Sequence, residues 1–244
     1  MTSMSPKLFK YHQSLHQVRI NLMQSMGHIF FSSQSDSKKL HGFLILWTSH
    51  SIVMTKSVEY WINAAGESCH SIGQKSIGNS LITHAKHEAG HDSMLVNDLS
   101  QLVNLWNEIY GGSMSTHEIM SLKTPESSQS YVKLHEQIIK GTSPFAQVAI
   151  EFEIERLSIN LAPQWLENII FRLGSQFRDG LTFLEEHILI DQGHTKFNTN
   201  LLEKCLEETN DISSLISAGT EALICYQDFL NDCKIEAERL FSGL

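Results

Sequence analysis

Cysteine, proline and long apolar runs are all scarce in this chain. Its 244 residues include only four Cys and four Pro. The cysteines, Cys69, Cys205, Cys225 and Cys233, form no CxxC pair. That spacing excludes a zinc ribbon or a redox dithiol, and it fits a reduced, cytoplasmic setting. No apolar run approaches the ~20 residues of a membrane span. The longest candidate, Phe43 to Met54, is interrupted by Thr48, Ser49, His50 and Ser51. The opening MTSMSPKLFK lacks the apolar centre of a secretion signal, so a soluble cytoplasmic protein is expected. Positive charge is also short: 18 Lys and Arg against 27 Asp and Glu give a net charge of −9. This balance argues against nucleic acid or an anionic membrane surface as a partner. Histidine, by contrast, is plentiful, with 13 residues.

With so few breakers, the chain reads as a succession of helices without strands or internal repeats. Helices are expected over Lys7–Met26, Lys38–Ala65 and Gln74–Tyr110, the last stopped by Gly111-Gly112. Ser35 or Asp36 can cap the second, and Ser115-Thr116-His117-Glu118 opens a short segment in capping-box fashion. Further helices run from Pro125 to Gly141, from Pro144 to Leu173 with a kink or split at Pro163, from Ser175 to Glu208, and from Ile212 to Phe241. One all-α domain spanning residues 1–244, with about seven long helices, is the simplest account.

Three of these helices carry a polar interruption in an otherwise apolar seam. The strongest lies in FLEEHILIDQGHTKFNTNLLEKC, whose seam runs Leu184, His187, Asp191, His194, Asn198, Leu201, Cys205. At about 100° per residue, His187, Asp191 and His194 share one face. A buried carboxylate among imidazoles is costly unless compensated, and a metal ion compensates well. The alternative is an exposed polar face. The third helix repeats the pattern with Glu88 and His91 ahead of Leu95, Leu102 and Trp106. Asp98 borders this seam as a solvated or tertiary-paired group, and His84 and His87 are read as surface or supporting residues. After Pro144 the seam Val148, Phe152, Glu155, Ile159 selects Glu155. Glu151, about 40° away, is the runner-up, and Glu153 points to the opposite side, toward solvent. A buried salt bridge from Glu155 to Arg156 or Arg178 is the competing reading.

Taken together, Glu88, His91, Glu155, His187, Asp191 and His194 supply three carboxylates and three imidazoles to one bundle core. Helical bundles build dinuclear centres from facing helices in this way. Ligands without thiolate favour iron, with manganese possible, over structural zinc.

The ordered set of E-x2-H, a mid-helix Glu and H-x3-D-x2-H resembles the haem-oxygenase-like diiron oxidase and oxygenase superfamily. More narrowly, it resembles the proteins similar to the chlamydial protein associating with death domains. The resemblance covers roughly Ser71 to Leu206. It implies a seven-helix haem-oxygenase-like bundle that binds two irons at the six residues above. It also implies O2 as co-substrate, oxidation of a small organic molecule such as an amino acid, fatty acid or aromatic precursor, and a homodimer. Phe9, Leu15 and Met23 on the first helix are candidates for the dimer face. The chain departs from the chlamydial pattern at Ile154 and Phe183, where those proteins carry the tyrosines they consume; only Tyr11 is left as a candidate donor. A haem oxygenase would use His12 or His16 and leave the polar seams unexplained. A thiamin-degrading relative would need a Cys among the seam residues. The competing functional class is a protein of this fold that holds metal or a partner without turnover.

Overall fold

The computed structural model describes residues 5–30 and 36–241, with side chains throughout except at 28–30 and 190–195. Among the described residues there are ten α-helices and two short 3-10 segments, and no strand. The helices are α1 (Pro6–Phe30), α2 (Ser37–Thr55), α3 (Val58–Ser71), α4 (Lys75–Ala85), α5 (His91–Tyr110), α6 (Thr116–Met120), α7 (Glu126–Lys140), α8 (Gln147–Leu173), α9 (Thr182–Glu208) and α10 (Ile212–Phe241). The 3-10 segments, Pro144–Ala146 and Ser175–Gly180, lead into α8 and α9.

The expected α-class holds, and the helix count exceeds seven because two long segments are divided. The stretch expected as Lys38–Ala65 breaks at Lys56-Ser57 into α2 and α3. The division lets two apolar seams face different neighbours. Leu40 through Trp47 are buried against α5 and α10, while Trp61 turns to stack on His135 of α7 at 4.4 Å. The stretch expected as Gln74–Tyr110 breaks at residues 86–90. Gly90 has φ +88°, a left-handed conformation that ends helical pairing. Pro163 lies inside α8 without dividing it, whereas the segment after Pro144 and that after Ser175 each begin with a 3-10 turn before the α-helix. The capping box at Ser115 and Glu118 is present, and Asp36 caps α2 through the Lys38 N–H at 2.9 Å.

α2 is the buried axis of the bundle. Fourteen of its residues are buried, from Leu40 to Met54, and it packs on α5, α6, α7, α8 and α10. Close approach to α10 requires a residue without a side chain: a Cβ at Gly42 would lie 2.3 Å from the Phe241 ring. α8 lies along α9, and α10 closes the bundle against α1, α2, α7 and α8. No helix among the described residues is long and apolar enough to cross a membrane. On α1, Leu15 is fully buried while Phe9 and Met23 are exposed. These three residues therefore do not form one outward face, because helical geometry turns Leu15 to the core.

Asp98 of α5 is a tertiary cap for α9. It accepts hydrogen bonds from the Thr182 N–H (3.1 Å), the Thr182 hydroxyl (2.6 Å) and the Phe183 N–H (2.9 Å). These satisfy donors that the first turn of α9 cannot pair internally. Burial raises the Asp98 pKa, and these hydrogen bonds oppose the rise. We expect Asp98→Ala to destabilise the fold by about 2 kcal/mol in urea denaturation, because three donors lose a buried acceptor. Unchanged stability would show that water replaces the carboxylate.

Candidate metal centre

Two clusters of potential ligands face each other inside the bundle. The first is Glu88, His91 and His187; the second is His84, Glu151 and Glu155. Within each cluster the ligand atoms lie within 4.8 Å of one another. Glu88 Oε1 is 4.0 Å from His84 Nε2, so the clusters adjoin and Glu88 stands between them.

Four helices and one turn deliver these groups. His84 occupies the last turn of α4, Glu88 the turn after it, and His91 the first position of α5. Glu88 is therefore not a helical residue, as its spacing suggested. The left-handed Gly90 turns the chain so that Glu88 Oε2 comes within 2.9 Å of His91 Nδ1. A Cβ at Gly90 meets nothing within 4 Å, so Gly90→Ala carries a backbone penalty alone. We expect a loss of about 1 kcal/mol by chemical denaturation, together with weakened metal retention as Glu88 and His91 move apart. Wild-type stability and metal retention would contradict this.

Glu151 and Glu155 project from one face of α8, one turn apart, and both are buried. They do not compete for one role, as the sequence suggested; they share a cluster. Glu155 does not pair with Arg156 or Arg178. His84 Nε2 lies 2.9 Å from its Oε1, and the Asn198 amide of α9 donates to its Oε2. Arg178 pairs instead with Glu185. Glu151 accepts from the Gln147 amide at 2.5 Å, and Gln147 Oε1 is 3.1 Å from His135 Nδ1. The His135 ring, stacked on Trp61, fixes this chain of contacts. His187 Nδ1–H donates to the Phe183 carbonyl at 2.7 Å, which leaves Nε2 as its ligand atom. The His91 and His187 rings meet edge to face at 4.5 Å. Asp191 and His194 lie outside the described side chains.

The electrostatics follow from burying carboxylates and imidazoles together. Burial alone would lower His84, but its hydrogen bond to Glu155 and the charges of Glu155, Glu151 and Glu88 lift it to about 9. Burial pushes Glu151 up to about 8, with Glu88 and Glu155 adding to the rise and His84 opposing it. Burial also raises Glu88, yet the hydrogen bond to His91 and the imidazoles of His91, His84 and His187 bring it below its ordinary value. His187 is lowered, by burial first and by the adjacent His91 second. Without metal, protons on His84 and Glu151 offset charge that a cation would otherwise balance.

Two residues behave differently from the sequence expectation. His84, expected with His87 as a surface or supporting group, is buried and stands among the potential ligands, whereas His87 is exposed. Glu153 is not solvated: it is 1% exposed, accepts from Tyr11 at 3.0 Å, and is clamped by Arg19 through Nε at 2.8 Å and an Nη. The interior position of α8 buries this face as well. Tyr11 is fully buried and bound to Glu153.

A cavity of about 130 Å³ opens onto both clusters. Its walls include Trp47, Met54, Val58, Leu157, Trp165 and Phe183, with Glu88, His91, Glu151, Glu155 and His187 on the polar side. No Lys or Arg among the described residues lines it. Trp47 and Phe183 stand in its apolar wall. Phe152 lies elsewhere, against Tyr11 and His12.

The architecture is a haem-oxygenase-like all-α fold. It is similar to the crystal structure of a domain of unknown function with a haem-oxygenase-like fold from Shewanella denitrificans OS217. The similarity has a TM-score of 0.74 at 14% sequence identity, covering 97% of this chain and 96% of the other. No protein-family model and no curated protein matches the sequence.

Proposed function

We propose that this chain is a non-haem diiron oxidase or oxygenase that uses O2 to oxidise a small organic substrate. Two adjoining three-residue clusters of carboxylate and imidazole at one end of an apolar cavity support this reading. The donor set fits iron, with manganese as an alternative: hard oxygen and imidazole nitrogen ligands, no thiolate, and three carboxylates, Glu151 and Glu155 buried and Glu88 partly so, whose charge a pair of divalent ions would balance. Glu88, His91 and His187 would hold one ion and His84, Glu151 and Glu155 the other, with Asp191 and His194 as proposed additional ligands from α9. Two irons in these positions would supply the reducing electrons for O2.

The protein's own groups set the conditions. The Phe183 carbonyl orients His187, Gln147 holds Glu151, and Asn198 holds Glu155, so ligand atoms need little reorganisation. The apolar walls exclude water from the reacting group. A cavity of this volume is close to the ~150 Å³ that accommodates benzene, so it fits one ring or a short branched chain. The absence of a lining cation argues that the portion of substrate entering it is uncharged.

The test is O2 uptake by anaerobically iron(II)-loaded protein, measured with an oxygen electrode. Stoichiometric O2 consumption faster than that of free iron is expected. Tight iron binding with O2 uptake no faster than buffer would favour a metal-holding protein without turnover.

A further inference from the structure

A second cavity shares Glu155 and Asn198 with the proposed metal centre and is otherwise lined by residues outside it. Its volume is about 250 Å³, and among the described residues His12, Glu155, Arg156, Asn160, Asn198 and Thr199 supply its polar wall. We propose that it binds a small carboxylate anion, with the Arg156 guanidinium as counter-ion and His12 and Asn160 as neutral hydrogen-bond donors.

Charge and hydrogen bonding carry the proposal. Two guanidinium groups, Arg19 and Arg156, stand beside one carboxylate, Glu153. Arg19 takes both oxygens of Glu153. Arg156 is half-buried, and its guanidinium, 5.9 Å from the Phe152 ring centroid, makes no hydrogen bond or ion pair among the described residues. With no acceptor among the described residues, its five N–H groups are open to a guest that displaces water from the cavity. Arg19 Nη1 donates to His12 Nδ1 at 3.2 Å, which places the His12 proton on Nε2. Burial and the two arginines keep this imidazole neutral, with a pKa near 4. The Asn160 amide spends one N–H on the Arg156 carbonyl at 2.7 Å and retains another.

The same wall specifies the charge of the guest. Glu155 also lines this cavity, with its oxygens engaged by His84 and Asn198. One unmatched guanidinium beside a carboxylate suits a monoanion and disfavours a dianion such as phosphate. The planar fork of Arg matches a carboxylate in two-point fashion. Arg156, His12 and Asn160 are not among the proposed iron ligands.

The test uses metal-free full-length protein with the chelator removed, so that no probe can ligate a metal. Acetate and benzoate are titrated while the Arg156 Nε–H resonance is followed by NMR, with sodium chloride and phosphate at matched ionic strength. The expected result is saturable movement with both carboxylates, little with chloride, and weaker binding of phosphate. Arg156→Gln should weaken carboxylate binding at least about tenfold, and Arg156→Lys by less, because it keeps the charge without the fork. His12→Leu, on a different helix, should also weaken binding and guards against a folding defect in the Arg156 variants. Identical movement with chloride, phosphate binding tighter than acetate, or wild-type affinity in Arg156→Gln would each overturn the proposal.

Discussion

His84→Leu is expected to lower iron uptake from two ions per chain to one and to abolish O2 consumption. It removes the imidazole of the second cluster while leaving Glu88, His91 and His187 in place. The same change should destabilise the metal-free protein by about 3 kcal/mol, because Glu155 then remains buried without the cation that faces it, while burial keeps Glu151 protonated. The double variant His84→Leu, Glu155→Leu removes both partners. It should recover most of that stability while still binding one iron, since an apolar pair of similar volume fills the space. Metal analysis of anaerobically loaded protein and urea unfolding of the metal-free form check the two effects separately. Two irons in His84→Leu would remove this residue from the centre. A double variant no more stable than the single one would show that the buried pair is not what holds α4 to α8.

Acid sensitivity is the second large effect. His41 and His135 are both fully buried and both held near pKa 4 by burial, each with a hydrogen bond that only partly opposes it. His41 Nε2–H donates to the Leu102 carbonyl at 2.8 Å. In the unfolded chain these imidazoles take up protons near pH 6.5, so the unfolded state binds two more protons between pH 6.5 and 4. Their contribution to stability is complete above pH 6.5 and is lost as pH falls, by about 3 kcal/mol per imidazole. Glu151 acts in the opposite direction. Its folded-state pKa of about 8 means that the folded protein holds a proton the unfolded chain has released, so acidification returns part of the loss. Above pH 6.5 the sign reverses, as His84 and Glu151 lose stabilising protons toward pH 8–9. Metal-free protein should therefore be most stable near pH 6.5. Urea midpoints measured from pH 4.5 to 9 should show this maximum, and His135→Gln should flatten its acid limb. A stability that climbs steadily from pH 6.5 to 9 would contradict the assignment.

Much of the helical content was legible because breakers are few and seams are long. The last helix, Ile212–Phe241, has the expected bounds. The two divisions were not legible for different reasons. Nothing at Lys56-Ser57 forbids a helix; tertiary packing of Trp61 decides it. Gly90 was a local signal, and only its left-handed φ reveals the turn that brings Glu88 back to His91. His84 could have been found. Ile77, Leu81, His84, Glu88, His91 and Leu95 step by four and three along one stripe, and starting the seam at Glu88 concealed its first polar member. Glu153 could not have been placed from spacing, because its partners Tyr11 and Arg19 come from α1, more than 130 residues away. An apolar seam selects one acid from Glu151 and Glu155, whereas one turn of helix places both at the site.

Diffraction from crystals of the anaerobically iron(II)-loaded protein, collected on both sides of the iron absorption edge, tests the central claim most directly. The account predicts two anomalous peaks, one among Glu88, His91 and His187 and the other among His84, Glu151 and Glu155. Iron bound in stoichiometric amount with its anomalous density anywhere other than these two clusters would contradict it.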